Sequence, residues 1–199
     1  MSFKKLSIKS KKRIYIVLSI IALLLVVEAI NMLSGRSLSQ FGIYPRRLST
    51  LPGIFTAPFI HGSLMHFLSN AVPLAIFSFL LLIHGTLRFV FVSVWIMVVG
   101  GGLVWLFGRQ SMHIGASGVL YGYFAYLLVA GFLSKQFKLL LISLFVMFGY
   151  GGMIWGVLPS SPYISWESHL FGALAGGTAA LIWIRSKMIS PGCGAKQLQ

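Results

Sequence analysis

Ser117 and His169 are the two side chains of this sequence whose surroundings suit a nucleophile and its base. Ser117 lies in Gly115-Ala116-Ser117-Gly118, at the head of an apolar run and within a stretch, residues 113–119, that has no Asp, Glu, Lys or Arg. His169 lies near the start of another apolar run of helical length. A serine hydroxyl is a weak nucleophile that needs an adjacent base. The pair therefore predicts a Ser–His dyad for acyl transfer.

His66 and Asn70 are candidate donors for the oxyanion that acyl transfer creates. They are four residues apart in a third apolar run, so a helix places them on one face. Aimed hydrogen-bond donors stabilise the developing charge, and the backbone N–H of Ser117, at a helix start, has no partner within its helix. Tyr121 follows Ser117 by one turn and is expected to pack on the imidazole.

An acidic third member of the site is not expected. The chain contains only two acidic residues, Glu28 and Glu167. Glu167 is two residues from His169, so on a helix the two side chains point to different faces. It suits the first turn of a helix that is capped at Ser165.

These side chains belong to a polytopic membrane protein of the all-α class. Hydrophobic residues make up 57% of the 199 residues and charged residues 9%, whereas soluble domains carry about a quarter charged residues. A span takes about 20 apolar residues, and in lipid the backbone must satisfy its own hydrogen bonds as helices. Six such spans are predicted: Ile14–Leu33, Ser63–Ile83, Phe89–Phe107, Ile114–Leu133, Leu139–Leu158 and Trp166–Ile184.

Basic residues set the predicted orientation. The net charge is +14, but Lys and Arg are concentrated before the first span and in the loops on one side, so membrane topology explains them and nucleic acid does not. The positive-inside rule places both termini in the cytoplasm. We predict a basic tail, residues 1–13, that can touch anionic lipid, one membrane domain, residues 14–185, and a C-terminal tail, residues 186–199.

This topology brings the polar residues to one depth. The second, fourth and sixth spans all begin on the outer side, and each carries its polar residues roughly 5 Å from that end. Small residues support a close approach of the fourth and sixth spans, because Gly118, Gly122, Gly172 and Gly176 recur at four-residue spacing.

Two further features bear on the architecture. The connection Ser34–Gly62 is too apolar for a solvated linker and is expected to lie in the interface or to fold into the bundle. Cys193 is the single cysteine, and no Cys/His spacing typical of zinc is present, so we predict no metal and no cofactor.

Three motifs in order resemble the rhomboid family of intramembrane serine proteases. They are His66-x-x-x-Asn70 in the second span, Gly115-x-Ser117-Gly118 at the fourth, and His169-x-x-Gly172-x-x-x-Gly176 in the sixth. The resemblance covers roughly residues 14–185 and is to the bacterial six-span form. It implies a rhomboid-like bundle with both termini inside, in a bacterial inner membrane, with the active site opening to the outer, periplasmic side.

The resemblance also implies roles. Ser117 would be the nucleophile and His169 the general base, His66 and Asn70 would form the oxyanion hole with the Ser117 N–H, and Tyr121 would pack on the base. Gly115 and Gly118 would keep bulk away from the nucleophile. Substrates would be transmembrane proteins, cut in or beside a span. His61 matches a histidine that the family often carries ahead of the second span.

One departure from the family pattern and two alternative functions remain. Many members carry a Glu-Arg pair after the second span, whereas this chain has His84-Gly85-Thr86-Leu87-Arg88, without an acid. An inactive relative that binds or chaperones transmembrane segments stays open, although such relatives usually lack the serine or the histidine. A small transporter is disfavoured, because the spans show no inverted repeat and no paired intramembrane acids.

Overall fold

A computed structural model describes residues 7–159 and 164–189, without the side chains of residues 185–189. Its α-helices are α1 (Ile8–Leu33), α2 (Gly53–Thr56), α3 (Leu64–Ile83), α4 (Thr86–Trp95), α5 (Gly101–Phe107), α6 (Ser117–Leu133), α7 (Phe137–Tyr150) and α8 (Trp166–Ile189). A π-helical turn, Ile96–Gly100, joins α4 to α5, and a 3₁₀-helix, Gly151–Val157, extends α7.

The helices confirm the prediction of an all-α polytopic bundle. Four of them are long and apolar enough to cross a membrane: α1, α3, the joined helix Thr86–Phe107 and the joined helix Phe137–Val157. The apolar helix α6 has 17 residues and lies at the centre of the bundle, packed against α8, α7 and α3. The protein is therefore an integral membrane protein.

Several helix ends differ from the predicted spans. The first helix begins at Ile8, because the Ser7 hydroxyl accepts a hydrogen bond from the Ser10 N–H (3.2 Å), so part of the predicted basic tail is helical. The helix α8 continues to Ile189, beyond the predicted end at Ile184. Cys193 lies outside the described residues.

The difference that bears on the site concerns the fourth helix, which begins at Ser117 and not at Ile114. Gly115 has a φ of +112°, a conformation that L side chains rarely adopt, and this turn delays the helix start. Ser117 is therefore the first helical residue and not a residue three positions into the span.

Glycines bring α6 and α8 into backbone contact. A Cβ atom on Gly172 would overlap the carbonyl oxygen of Gly118, and one on Gly176 would overlap that of Gly122. Small residues permit such an approach between membrane helices. The approach places the first turns of the two helices side by side, and these turns contain Ser117 and His169.

The connection between α1 and α3 folds against the bundle. Ile43 and Ala57 pack with Val104 of α5 in a buried cluster. Ile43 and His113 exchange both backbone hydrogen bonds, Ile43 N–H to His113 O at 3.0 Å and His113 N–H to Ile43 O at 2.8 Å. Of the two placements expected for this connection, the structure shows packing against the bundle and against the turn that precedes Ser117.

Candidate active site

The connection between α1 and α3 holds the turn before Ser117 through two hydrogen bonds. The Gly115 N–H donates to the carbonyl of Ala57 (2.9 Å), and the Ala116 N–H donates to Nε2 of His61 (3.4 Å). These bonds fix the backbone at the point where α6 begins. The Ser117 side chain is nearly buried, with 9% of its surface exposed, and it lines a cavity of about 860 Å³.

His169 is oriented by a ring and a carbonyl. Its imidazole lies parallel to the Tyr121 ring, with centroids 4.1 Å apart and an interplanar angle of 5°. Its Nδ1 lies 2.8 Å from the carbonyl oxygen of Gly156, in the 3₁₀-helix after α7. A carbonyl can only accept, so Nδ1 carries the proton. In the neutral imidazole, Nε2 then keeps its lone pair and can act as a base.

The same cavity collects all the polar residues predicted for the site. Its lining includes Ser117, His169, His66, Asn70 and Tyr121. These residues come from three different helices, α3, α6 and α8, whose sequence separation is large. The structure therefore brings the predicted nucleophile, base and oxyanion donors to one space.

His66 presents a proton to the turn that precedes Ser117. The Gly62 N–H points at Nδ1 of His66 (3.4 Å), so Nδ1 accepts and Nε2 carries the proton. This Nε2 lies against Gly115, because a Cβ atom there would be 2.6 Å from it. Only glycine leaves room for the imidazole, and the room places an N–H donor beside the start of α6.

Asn70 keeps one donor for a ligand. Its side-chain amide donates one hydrogen to the carbonyl of His66, at 2.7 Å. The amide carries a second hydrogen, and its residue is buried at the cavity wall. His66 and Asn70 therefore form one donor group on one helix face.

His61 supports this group from behind. It is fully buried, and its ring meets the His66 ring edge to face, with centroids 5.1 Å apart. Burial, then the nearby His66 and Arg36, lowers the pKa of His61 to about 4, so the ring is neutral at ordinary pH. Neutrality leaves Nε2 able to accept the bond from Ala116.

Glu28 lies behind His61 and not beside the dyad. Its carboxylate accepts a hydrogen bond from Nη1 of Arg36 (2.7 Å), and the same Nη1 donates to the backbone carbonyl of His61 (3.0 Å). Asn31 also donates to that carbonyl, at 3.0 Å. The C-terminal end of α1 is thereby tied to the segment that supports Ser117.

Glu167 ties the start of α8 to the connection before α6. Its Oε1 lies 3.5 Å from Nε of Arg109 and 3.4 Å from the Arg109 N–H. Arg109 also donates to the carbonyl of Ile164, at 2.6 Å. His169 is two residues beyond Glu167, so the contact holds the helical turn that carries the base.

A second contact between these segments runs through His113. Its Nδ1 hydrogen-bonds the hydroxyl of Ser165, which in turn bonds the Ser168 hydroxyl at 2.6 Å, and its Nε2 donates to the carbonyl of Arg109 at 3.0 Å. Burial, the main cause, lowers the pKa of His113. Because Nε2 donates to a carbonyl, Nδ1 of the neutral ring accepts from Ser165.

Sequence reasoning missed Gly156, Arg109 and the support role of His113. A carbonyl acceptor has no residue-type signal, so nothing in the sequence marks Gly156. Arg109 and Glu167 are opposite charges at the ends of two spans that were predicted to meet the same surface, and this pairing could have been predicted from the sequence. Within the described part of the chain, no three His, Cys, Asp or Glu side chains cluster as a metal site would require.

Comparison with known proteins relates this chain to a protein family. A sequence profile described as the Rhomboid domain matches residues 48–186. An uncharacterized protein of Mycobacterium tuberculosis is 38% identical over 175 residues, which cover 83% of this chain and 73% of the relative, and one of Mycobacterium bovis has the same values. An uncharacterized protein of Mycobacterium leprae is 36% identical over 176 residues, covering 83% and 69%.

Proposed function

The chain belongs to the rhomboid family, and we propose that it is an intramembrane serine endopeptidase that cuts transmembrane proteins through a Ser117–His169 dyad. The observation that carries the proposal is the orientation of the base. Nδ1 of His169 is occupied by the Gly156 carbonyl, so the basic Nε2 is the atom left for the cavity that Ser117 also lines.

The reaction would proceed in two halves. The Ser117 hydroxyl attacks the scissile carbonyl while Nε2 of His169 takes its proton, and the resulting imidazolium returns that proton to the leaving amine. A water molecule, deprotonated by the same nitrogen, then attacks the acyl-enzyme, and the imidazolium gives that proton to the Ser117 oxygen as its bond to the acyl carbon breaks. No carboxylate takes part, because the Gly156 carbonyl sets the tautomer that Asp sets in a triad.

The oxyanion of each half-reaction would be held by three donors. They are the Nε2–H of His66, the second amide hydrogen of Asn70 and the backbone N–H of Ser117. Other contacts already fix all three groups. Gly62 and Gly115 hold the imidazole, the His66 carbonyl holds the amide, and the helix start holds the backbone N–H. Donors fixed in advance are the main source of this kind of stabilisation.

The substrate would be an extended segment of a transmembrane protein. A helix buries its scissile carbonyls in its own hydrogen bonds, so the substrate must unwind locally before Ser117 can reach one. Following the charge distribution, we place both termini in the cytoplasm of a bacterial cell and the cavity at the outer side of the plasma membrane. Membrane lipid surrounds the remaining helix faces.

Active-site labelling with a fluorophosphonate probe in detergent tests the nucleophile. Wild type should be labelled and Ser117→Ala should not. Ser69→Ala is the matched control, because Ser69 lines the same cavity but bonds the His66 carbonyl of its own helix (2.9 Å). Equal labelling of wild type and Ser117→Ala would refute the nucleophile. Folded wild type that neither labels nor cleaves would favour the alternative, an inactive binder or chaperone of transmembrane segments.

Substrates can be sought by comparing membranes of cells that express wild type or Ser117→Ala. An ectodomain released only with the wild type identifies a cleaved protein. Release that is equal in both strains would assign the cleavage to another enzyme.

A further inference from the structure

Arg88 is a buried cation at the end of the bundle away from Ser117. It is the third residue of α4, and its side chain is 9% exposed. The guanidinium stacks over the Trp183 ring, 4.5 Å from the centroid, and Nη1 donates to Nδ1 of His84 at 3.4 Å. Its Nε is buried and makes no hydrogen bond within the described residues. A buried guanidinium needs a counter-charge, because desolvation of an unpaired ion is costly.

No side-chain carboxylate of this chain supplies that charge. The 199 residues include only two acids, and both are bound elsewhere. Glu28 pairs with Arg36 at 2.7 Å, and Glu167 pairs with Arg109 at 3.5 Å. Both pairs lie at the end of the bundle that holds the candidate active site. A ring face offsets only part of the cost of burying a cation, and a bound anion would offset the remainder.

A cavity of about 310 Å³ opens beside the guanidinium. Its polar lining consists of Arg88, Tyr126, Ser134, Lys135, Gln136 and Trp183. The hydroxyl of Tyr126 is buried there beside the Arg88 guanidinium, with which it interacts, and it makes no hydrogen bond of standard geometry within the described residues. The lining carries two cations, several donors and no carboxylate. Its charge and donor set match an oxyanion.

The position of the cavity points to a lipid as the source of that oxyanion. Ser134 caps the end of α6, about 25 Å from Ser117 at the other end of the same helix. Leu87 and Phe137, which flank the cavity in sequence, are apolar and expose 73% and 74% of their surface, as residues that face lipid do. Basic pockets between membrane helices on the cytoplasmic side bind lipid head groups. The charge distribution predicts this as the inner side.

We propose that this cavity binds the phosphate group of an anionic phospholipid from the inner leaflet. Arg88 and Lys135 would provide the charge, and the hydroxyl of Tyr126 would donate a hydrogen bond to a phosphate oxygen. The site is independent of the dyad and of the protease proposal, since none of its lining residues lines the cavity of Ser117.

The test is thermal stabilisation of the delipidated full-length protein in detergent. Short-chain phosphatidylglycerol, short-chain phosphatidylcholine and inorganic phosphate are titrated separately, because a ligand that binds only the folded state raises the Tm. Phosphatidylglycerol should raise the Tm of the wild type at lower concentration than either of the other two. An equal response to inorganic phosphate would assign the site to free phosphate and overturn the lipid proposal, and no response to phosphatidylglycerol would overturn the site.

Matched variants test whether the rise in Tm depends on binding in this cavity. Arg88→Gln should raise the half-maximal phosphatidylglycerol concentration by about tenfold or more, the loss of a charged hydrogen-bonding partner. Lys138→Gln, at an exposed residue of α7 that is not in the cavity lining, also removes one positive charge on the same predicted side and should leave the titration unchanged. Equal curves for wild type and Arg88→Gln would overturn the assignment.

Two milder variants apply if Arg88→Gln is not recovered as folded protein. Lys135→Gln changes an exposed residue of the lining, and Tyr126→Phe removes only a hydroxyl. Each should raise the half-maximal concentration several-fold. If both titrate like the wild type, the cavity is not the binding site.

Discussion

The imidazole of His169 lies flat on the ring of Tyr121, with centroids 4.1 Å apart and planes within 5°. The two residues come from different helices, and the stack fixes the imidazole plane while the Gly156 carbonyl fixes its rotation. Tyr121 is one turn after Ser117 on α6. The stack therefore fixes the position of His169 relative to Ser117 through the helix α6.

Removing the ring should misplace the base. Tyr121→Ala is expected to slow fluorophosphonate labelling about 10- to 100-fold, since a displacement of about 1 Å can cost that much. Tyr121→Phe keeps the stack and is expected to stay within a few-fold of the wild type. Labelling rates measured on folded protein check both. Equal rates for Tyr121→Ala and the wild type would show that the stack has no positioning role.

The glycine contact between α6 and α8 predicts that alanine at two neighbouring glycine positions changes protein stability to different extents. Gly176→Ala would overlap the Gly122 carbonyl, so we expect a loss of about 1–3 kcal/mol and a lower Tm. Gly177→Ala is the control, because no atom lies within 4 Å of its added Cβ. It should leave the Tm unchanged or raise it slightly, as alanine favours helix. The same Tm for both variants would contradict the close approach.

Substitution of Arg109 should lower the stability of the protein more than substitution of its partner Glu167. The Glu167 side chain is 5% exposed and that of Arg109 34%. Arg109→Gln leaves a buried carboxylate without its charged partner, and such loss is costly. Glu167→Gln keeps an acceptor for the Arg109 N–H and should cost less, about 1 kcal/mol. Thermal unfolding of both variants and of the double variant checks this order.

In that comparison, the double variant should be no less stable than Arg109→Gln alone, because it removes the stranded carboxylate. A double variant whose loss equals the sum of the two single losses would show that the groups are not coupled.

Stability should fall as the pH drops through the range below 6.5. The pKa of His61 is about 4 in the folded protein, chiefly because of burial, and about 6.5 in an unfolded chain. Between these values only the unfolded state takes up the proton, so the stabilisation is complete above pH 6.5 and decreases toward pH 4, by up to about 3 kcal/mol. The Tm measured from pH 7 to pH 4.5 tests the slope.

His61→Gln should flatten that slope. Some dependence will persist, because burial also lowers the pKa of His113, which acts in the same direction. A slope equal to that of the wild type would show that His61 is protonated without cost in the folded protein.

The polar residues of the site were predictable because they stand out in an apolar sequence. Ser117, His66, Asn70 and His169 fall at the starts of alternate spans, and spans of one direction start at one surface. The structure gathers these residues on one cavity. Their roles in catalysis stay predictions that the variants above test.

Other features depend on tertiary contacts that leave no local signal. The start of α6 was predicted at Ile114 because the run is apolar there, yet the positive φ of Gly115 and its bond to Ala57 hold the chain out of the helix until Ser117. The π-helical turn at Ile96–Gly100 has an apolar sequence like its neighbours. Gly100 of that turn lies close to the backbone of Gly172 on α8, a reason that only the packed bundle reveals.

The Gly156 carbonyl at Nδ1 of His169 has a consequence for evolution and for speed. Every residue has a carbonyl, so no side-chain exchange at position 156 deletes this acceptor. A side chain at this position would nevertheless disturb the contact, because an added Cβ atom would overlap the Tyr121 hydroxyl and lie 3.4 Å from Nδ1 of His169. A neutral dipole also stabilises an imidazolium less than a carboxylate does. In the proposed dyad we therefore expect position 156 to accept only glycine, and we expect the imidazolium to form less readily, and turnover to be slower, than in a triad built on an aspartate.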